Sequence, residues 1–136
     1  MAKRIAITGL GAVCALGANV DEVWAAAVEG RGGIARQTLP PTQFGPPSDE
    51  QPLARMPEGW ASAAEARLGR PAVASLDPFA RMALAAASEA LEAAGLVGHE
   101  VLGERTAVVL GHGEGGQETV EIGFERYFGQ KQSRLH

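Results

Sequence analysis

Leu76-Asp77-Pro78-Phe79-Ala80-Arg81-Met82-Ala83-Leu84-Ala85-Ala86-Ala87-Ser88-Glu89-Ala90-Leu91-Glu92-Ala93-Ala94-Gly95 is the stretch on which the fold turns. Asp77 suits a helix N-cap, Pro78 suits the first helical position, and Gly95 supplies a stop. At 100° per residue, Arg81, Ser88 and Glu92 share one narrow face, with Glu89 at its margin. Phe79, Met82, Leu84, Leu91 and many alanines fill the rest of the circumference. A helix apolar over most of its girth is packed on more than one side, so this one is expected to lie between layers.

Composition supports layers of small side chains. The chain has 136 residues, with 25 Ala and 18 Gly but only four Phe, two Trp and one Tyr. Small residues let elements approach closely while each buries little apolar area. Length alone permits one ordinary domain. A net charge of −4 and the lack of a basic cluster argue against a nucleic-acid or anionic-membrane partner. No apolar run approaches a membrane span, and the charged start MAKRIAITGLG does not read as a signal peptide, so a cytoplasmic location is expected. A single cysteine, Cys14, excludes an internal disulfide and a multi-Cys zinc site.

Outward from the central helix, Arg4–Thr8 and Thr106–Leu110 are short β-branched runs that read as buried strands. Each enters a glycine segment, Gly9–Gly17 and Gly111–Gly116 respectively. A first helix follows Asn19, with Glu22 at the capping-box offset, an apolar face of Val20, Val23, Trp24, Ala27 and Val28, and Gly30 as its end. A third helix is expected over Gln117–Phe128. Between Arg31 and Ser75 regular patterning dissolves among Pro40, Pro41, Pro46, Pro47, Pro52 and Pro57, although Trp60–Leu68 suits a short helix. Two buried strands are too few for the sheet that such strands require, so the chain is expected to end before its sheet is complete.

The candidate sites are few. Gly9-x-Gly11 lacks the third small residue of a dinucleotide fingerprint because Cys14 stands there. Gly111, Gly113 and Gly116 match G-x-G-x-x-G, which leaves open a small nucleotide-binding module, but the expected acidic ribose partner falls at or beyond the C-terminus. Cys14 has no basic partner by sequence among His99, His112 and His136, and reads as a small residue packed behind the first strand rather than a nucleophile. Glu114, Glu118, Glu121 and Glu125 recur at helical spacing, while Val120, Phe124, Tyr127 and Phe128 lie on another face. A solvated acidic face opposite a buried apolar one explains them better than a cation site, and no metal or cofactor is expected.

Five segments in order resemble the β-ketoacyl-acyl carrier protein synthases of the elongating type. These are Lys3–Gly17, the Val23-Trp24 helix, Gly30-Arg31-Gly32-Gly33-Ile34, Leu76-Asp77-Pro78-Phe79-Ala80 with its Ala-rich helix, and the loop Gly111–Gly116. The resemblance implies an α/β, thiolase-like fold of two related halves in five αβαβα layers. Residues 1–136 would be the N-terminal portion of the first half, with 36–75 a Pro-rich irregular excursion within it. It also implies condensation of a cysteine-bound acyl thioester with malonyl-carrier protein, assisted by two histidines. The nucleophile and both histidines of that family lie beyond this segment, so no catalytic residue transfers to this chain. Cys14 occupies a position where the family commonly has Ser or another small residue.

One loop does transfer with a role. Gly113, Glu114 and Gly115 correspond to a gate beside the acyl pocket, where the central residue is usually apolar. A carboxylate there is costly against an alkyl chain unless paired or left in water. The leading expectation is therefore the N-terminal piece of a synthase, inactive alone, whether a truncated chain, a degradation product or a split gene. Implied partners are acyl carrier protein and either a second copy or a complementing synthase subunit. The alternative is a noncatalytic synthase-like subunit that shapes a pocket or dimer surface.

Overall fold

The computed structural model describes residues 4–39 and 48–132. Its elements run α1 (Val20–Val28), β1 (Ile34–Leu39), β2 (Ser48–Ala54), α2 (Trp60–Leu68), α3 (Arg70–Val73), α4 (Pro78–Ala93) and α5 (Gln117–Phe124). A 3-10 turn at Glu100–Leu102 lies between α4 and α5, and a π turn at Glu125–Gly129 extends α5. The fold is mixed α/β: helices around α4 and one two-stranded sheet.

Helix ends form where the residues dictate. The Asn19 side chain accepts from the Glu22 amide at 2.9 Å, and the Glu22 carboxylate returns to the Ala18 amide at 2.8 Å, one residue earlier than the usual reciprocal pair. At the far end of α1, Gly30 takes φ +69°, and the amides of Gly30 and Arg31 reach the carbonyls of Ala27 and Ala26. The end of α4 repeats this closure: Gly95 at φ +67° lets the amides of Gly95 and Leu96 reach the carbonyls of Glu92 and Leu91. Both are Schellman motifs, and the left-handed residue is glycine because a Cβ is disfavoured there.

Helix α4 is the hub. Helix α2 packs on one side, where Ala64 and Ala85 are buried. On another side, residues 9–12 lie against its backbone. A Cβ on Gly9 would overlap the Ala90 carbonyl, and one on Gly11 would overlap that of Ala86. At its head, the ring of Phe79 lies under Gly115. The expectation of cover on several sides thus holds for α4, mostly as half-burial. Among the described residues, the buried apolar core is only Ala26, Ala64, Val73 and Ala85, as expected of a chain poor in large apolar groups.

Three expectations are corrected. Arg4–Thr8 and Thr106–Leu110 are not buried strands: neither pairs with another segment, and Ile5 is 95% and Val109 94% exposed. A strand exists only through its neighbour's hydrogen bonds, and the described residues offer these runs none. Second, the span expected to be irregular contains a hairpin. β1 and β2 pair antiparallel from Ile34 opposite Ala54, with Arg36 opposite Pro52 and a register shift between Gln37 and Leu39. A two-stranded ribbon tolerates Pro52 because each strand has a free edge. Pro40, Pro41, Pro46 and Pro47 lie outside the described residues, whereas Trp60–Leu68 forms the expected helix. Third, the apolar face of the last helix is not buried: Val120, Phe124, Tyr127 and Phe128 are all exposed, and the Phe128 ring meets those of Phe124 and Tyr127.

Candidate functional site

The first glycine segment, α1 and α5 are tied to α4 by two carboxylates, Glu89 on the helix and Asp77 at its cap. Glu89, half-buried, accepts from the Ala12 amide at 3.0 Å and from the Val20 amide at 2.8 Å, one bond on each oxygen. It therefore ties Ala12, within the first glycine segment, and the first turn of α1 to the same helix. The Val20 amide is one of the donors a helix N-terminus leaves unmatched, so a carboxylate is the favoured partner there.

Asp77 does the corresponding work at the head of α4. One oxygen accepts from the Phe79 amide at 3.1 Å as the N-cap. The other accepts from the Thr119 amide at 3.1 Å and the Thr119 hydroxyl at 2.8 Å, in the first turn of α5. Partial desolvation pushes the Asp77 carboxyl up. The Thr119 hydroxyl, the Phe79 and Thr119 amides and the nearby Arg81 charge more than offset this and hold it below the ordinary aspartate value. Glu22 is likewise held below the ordinary glutamate value, chiefly by the Ala18 amide and then by Asn19.

A cleft of about 350 Å³ opens beside Asp77, lined by Arg81, Glu118, Thr119, Ile122 and Arg126 among others. The Arg81 Nε donates to the Leu76 carbonyl at 2.8 Å, which turns that side chain back toward its own helix start. A smaller cavity of about 140 Å³ lies between the start of α1, α2 and α4, lined by Val13, Trp60, Ala63 and Arg67 among others.

The sequence-derived loop sits at the rim of this arrangement. Gly113 and Glu114 are exposed, and the Gln117 amide group donates to the Glu114 carboxylate at 2.6 Å. Gly115 is half-buried, and a Cβ on it would lie 2.8 Å from the Phe79 ring. The ring of His112 stands 5.8 Å from that of Phe79. The loop of residues 111–116 enters α5 through Gly116 at φ +83°. In a dinucleotide site the opening turn of that helix would face a pyrophosphate, whereas here the Thr119 amide is taken by Asp77.

Cys14 is a free, half-buried thiol whose backbone exchanges hydrogen bonds with Gly17 in both directions, at 2.9 and 3.1 Å. Glu114, Glu118, Glu121 and Glu125 are all exposed, and the described residues contain no cluster of His, Cys, Asp or Glu suited to a metal. None of the described helices is long and apolar enough to cross a membrane. Sequence reasoning singled out the loop of residues 113–115 and did not see the bonds of Glu89 or the second role of Asp77. The only signals were a carboxylate at the margin of an apolar helix and a cap residue with one oxygen to spare.

Comparison with known proteins places these features in a family context. The family described as "Beta-ketoacyl synthase, N-terminal domain" matches residues 2–133. The "3-oxoacyl-[acyl-carrier-protein] synthase 2" of Coxiella burnetii is 30% identical over 123 residues, covering 90% of this chain and 28% of that protein. The protein of the same name from Synechocystis is 31% identical over 119 residues, 88% of this chain and 27% of that protein. "Nodulation protein E" of a Rhizobium species is 27% identical over 124 residues, 91% of this chain and 29% of its own length. The chain thus spans somewhat over a quarter of the length of these relatives. No solved structure matches it.

Proposed function

The chain belongs to the β-ketoacyl synthase family, in its N-terminal domain, and on that premise we propose that it forms the first part of a thiolase-like condensing unit and has no condensing activity alone. The observation that carries this reading is the family match over residues 2–133 in a chain whose sole thiol is the turn residue Cys14. In the proposed unit, a cysteine contributed by other segments carries the acyl group as a thioester. Malonyl-carrier protein loses CO2, its carbanion attacks the thioester carbonyl, and the cysteine thiolate leaves. Acyl carrier protein is the proposed donor partner, and a second copy or a complementing subunit the proposed assembly partner. Solvent contact of Ile5, Ile7, Val108, Val109 and Leu110 agrees with a surface meant to be covered.

Within that unit Gly113, Glu114 and Gly115 form the gate loop beside the acyl pocket. The Glu114 charge, partnered by Gln117, discourages passage of a plain alkyl chain. The capture of the Thr119 amide by Asp77 favours this reading over a nucleotide module.

The test uses the 136-residue chain, and a chimera in which residues 2–133 replace the matching segment of the Synechocystis relative. With acyl- and malonyl-carrier protein, the chimera should form β-ketoacyl product and the chain alone none. Product from the isolated chain would overturn the proposal. In the chimera, Glu114→Ile should raise the use of long saturated acyl chains; an unchanged preference removes the gate role. A noncatalytic partner subunit is the second reading, favoured by the same uncovered apolar runs. It predicts that the chain co-elutes with an intact synthase without adding turnover.

A further inference from the structure

The two oxygens of Asp77 serve segments far apart in sequence. One caps α4 through the Phe79 amide, and the other reaches Thr119, 42 residues later, through both its amide and its hydroxyl. The residue next to the cap, Pro78, is followed by Phe79, whose ring is the floor against which Gly115 rests. Both attachments that fix the loop of residues 111–116 therefore come from the first turn of α4, one on the loop and one just after it. The loop's other contacts are the His112 ring beside the same Phe79 and the exposed Gln117–Glu114 hydrogen bond, whereas Gly111 and Gly113 face open space, with nothing within 4 Å of where a Cβ would stand.

We infer that Asp77 is a positioning residue, a latch that sets the gate loop Gly113-Glu114-Gly115 relative to α4 through Thr119. Its functional meaning rests on the gate reading proposed above, but its geometry and its test do not. The latch needs an acceptor at both oxygens at once, which a carboxylate provides and a carboxamide does not. The charged groups around it are Arg81 on α4, and Glu118 and Arg126 from α5 and the π turn, all lining the same cleft. Arg81 favours the ionised form.

Asp77→Asn separates the two tasks. Asparagine still caps the Phe79 amide through its carbonyl, but then presents an NH2 group to the Thr119 amide, donor against donor. In hydrogen exchange on the full chain, this variant should accelerate exchange in peptides covering 113–122 by about tenfold or more while leaving 78–93 unchanged. Thr119→Val, which keeps the amide bond and removes the hydroxyl, should produce a smaller acceleration in the same peptides. The Thr119 amide resonance should titrate with a carboxyl group in the wild type and stay flat in Asp77→Asn. Unchanged exchange over 113–122 in Asp77→Asn overturns the latch, as does an equal acceleration over 78–93, which would make Asp77 a helix cap and nothing more. The gate reading fails on a different readout, the acyl preference of the Glu114→Ile chimera, so either idea can fall while the other stands.

Discussion

The two glycine segments are built alike in sequence and held in opposite ways. Each leaves a β-branched run, turns on glycines and enters a helix, and each is fastened to α4 by a carboxylate. In residues 9–12 the glycines are points of contact: Gly9 and Gly11 press on the carbonyls of Ala90 and Ala86, and only a hydrogen in place of a Cβ permits that approach. In residues 111–116 Gly111 and Gly113 face open space, Gly115 presses on the Phe79 ring, and Gly116, in looser contact with that ring, takes a positive φ. The same letter thus marks close packing in one segment and conformational freedom in the other. Only the surface opposite distinguishes them.

The largest effect that bears on this contrast is expected from Gly11→Ala. The new methyl meets helix backbone, which cannot swing aside, so the loss should be roughly 3 kcal/mol in denaturant unfolding, at the upper end of overpacking costs. A small loss would mean that residues 9–12 do not bear on α4 as described. Next in size, Glu89→Ala should cost about 2 kcal/mol, because two amides lose a charged acceptor together. Its exchange signature should fall on residues 12 and 20 rather than on α5.

Acid should produce a third and smaller effect. Both Asp77 and Glu22 are held below their ordinary values of 3.8 and 4.5, so their contribution is complete above those values and is lost as pH falls through the depressed ones. Stability should therefore be flat from neutrality to about pH 5 and fall below it. In Asp77→Asn the α5 part of that fall should vanish, while the α1 part from Glu22 remains. Smallest of all, Gly113→Ala should change stability by less than about 0.5 kcal/mol. A large loss there would show that the open side of this loop is occupied, and would erase the contrast between the segments.

Local signals made the helices legible. Asn19 with Glu22, Asp77 with Pro78, and the closing Gly30 and Gly95 each act within one turn of the chain, and each forms as read. The hairpin was not legible, because neither strand alternates apolar and polar residues and Pro52 argues against a ladder position that an edge permits. The runs at 4–8 and 106–110 failed for the converse reason. Their β-branched composition is a preference for a sheet, and a preference does not supply the neighbouring strand. At the candidate site, the loop was readable from its glycines and from the family resemblance. The grip of Asp77 on Thr119 was not, because a contact across 42 residues leaves no periodic trace.

The bare run Thr106-Ala107-Val108-Val109-Leu110 also governs how the chain behaves in a test tube. It is uncharged, free of proline and rich in β-branched residues, and its last three side chains stand in solvent. Such a run pairs readily with copies of itself, so clouding on concentration, rather than melting on heating, should set the practical ceiling for handling the protein. A single lysine at Val109 should lift that ceiling without disturbing α4, because the valine it replaces is 94% exposed.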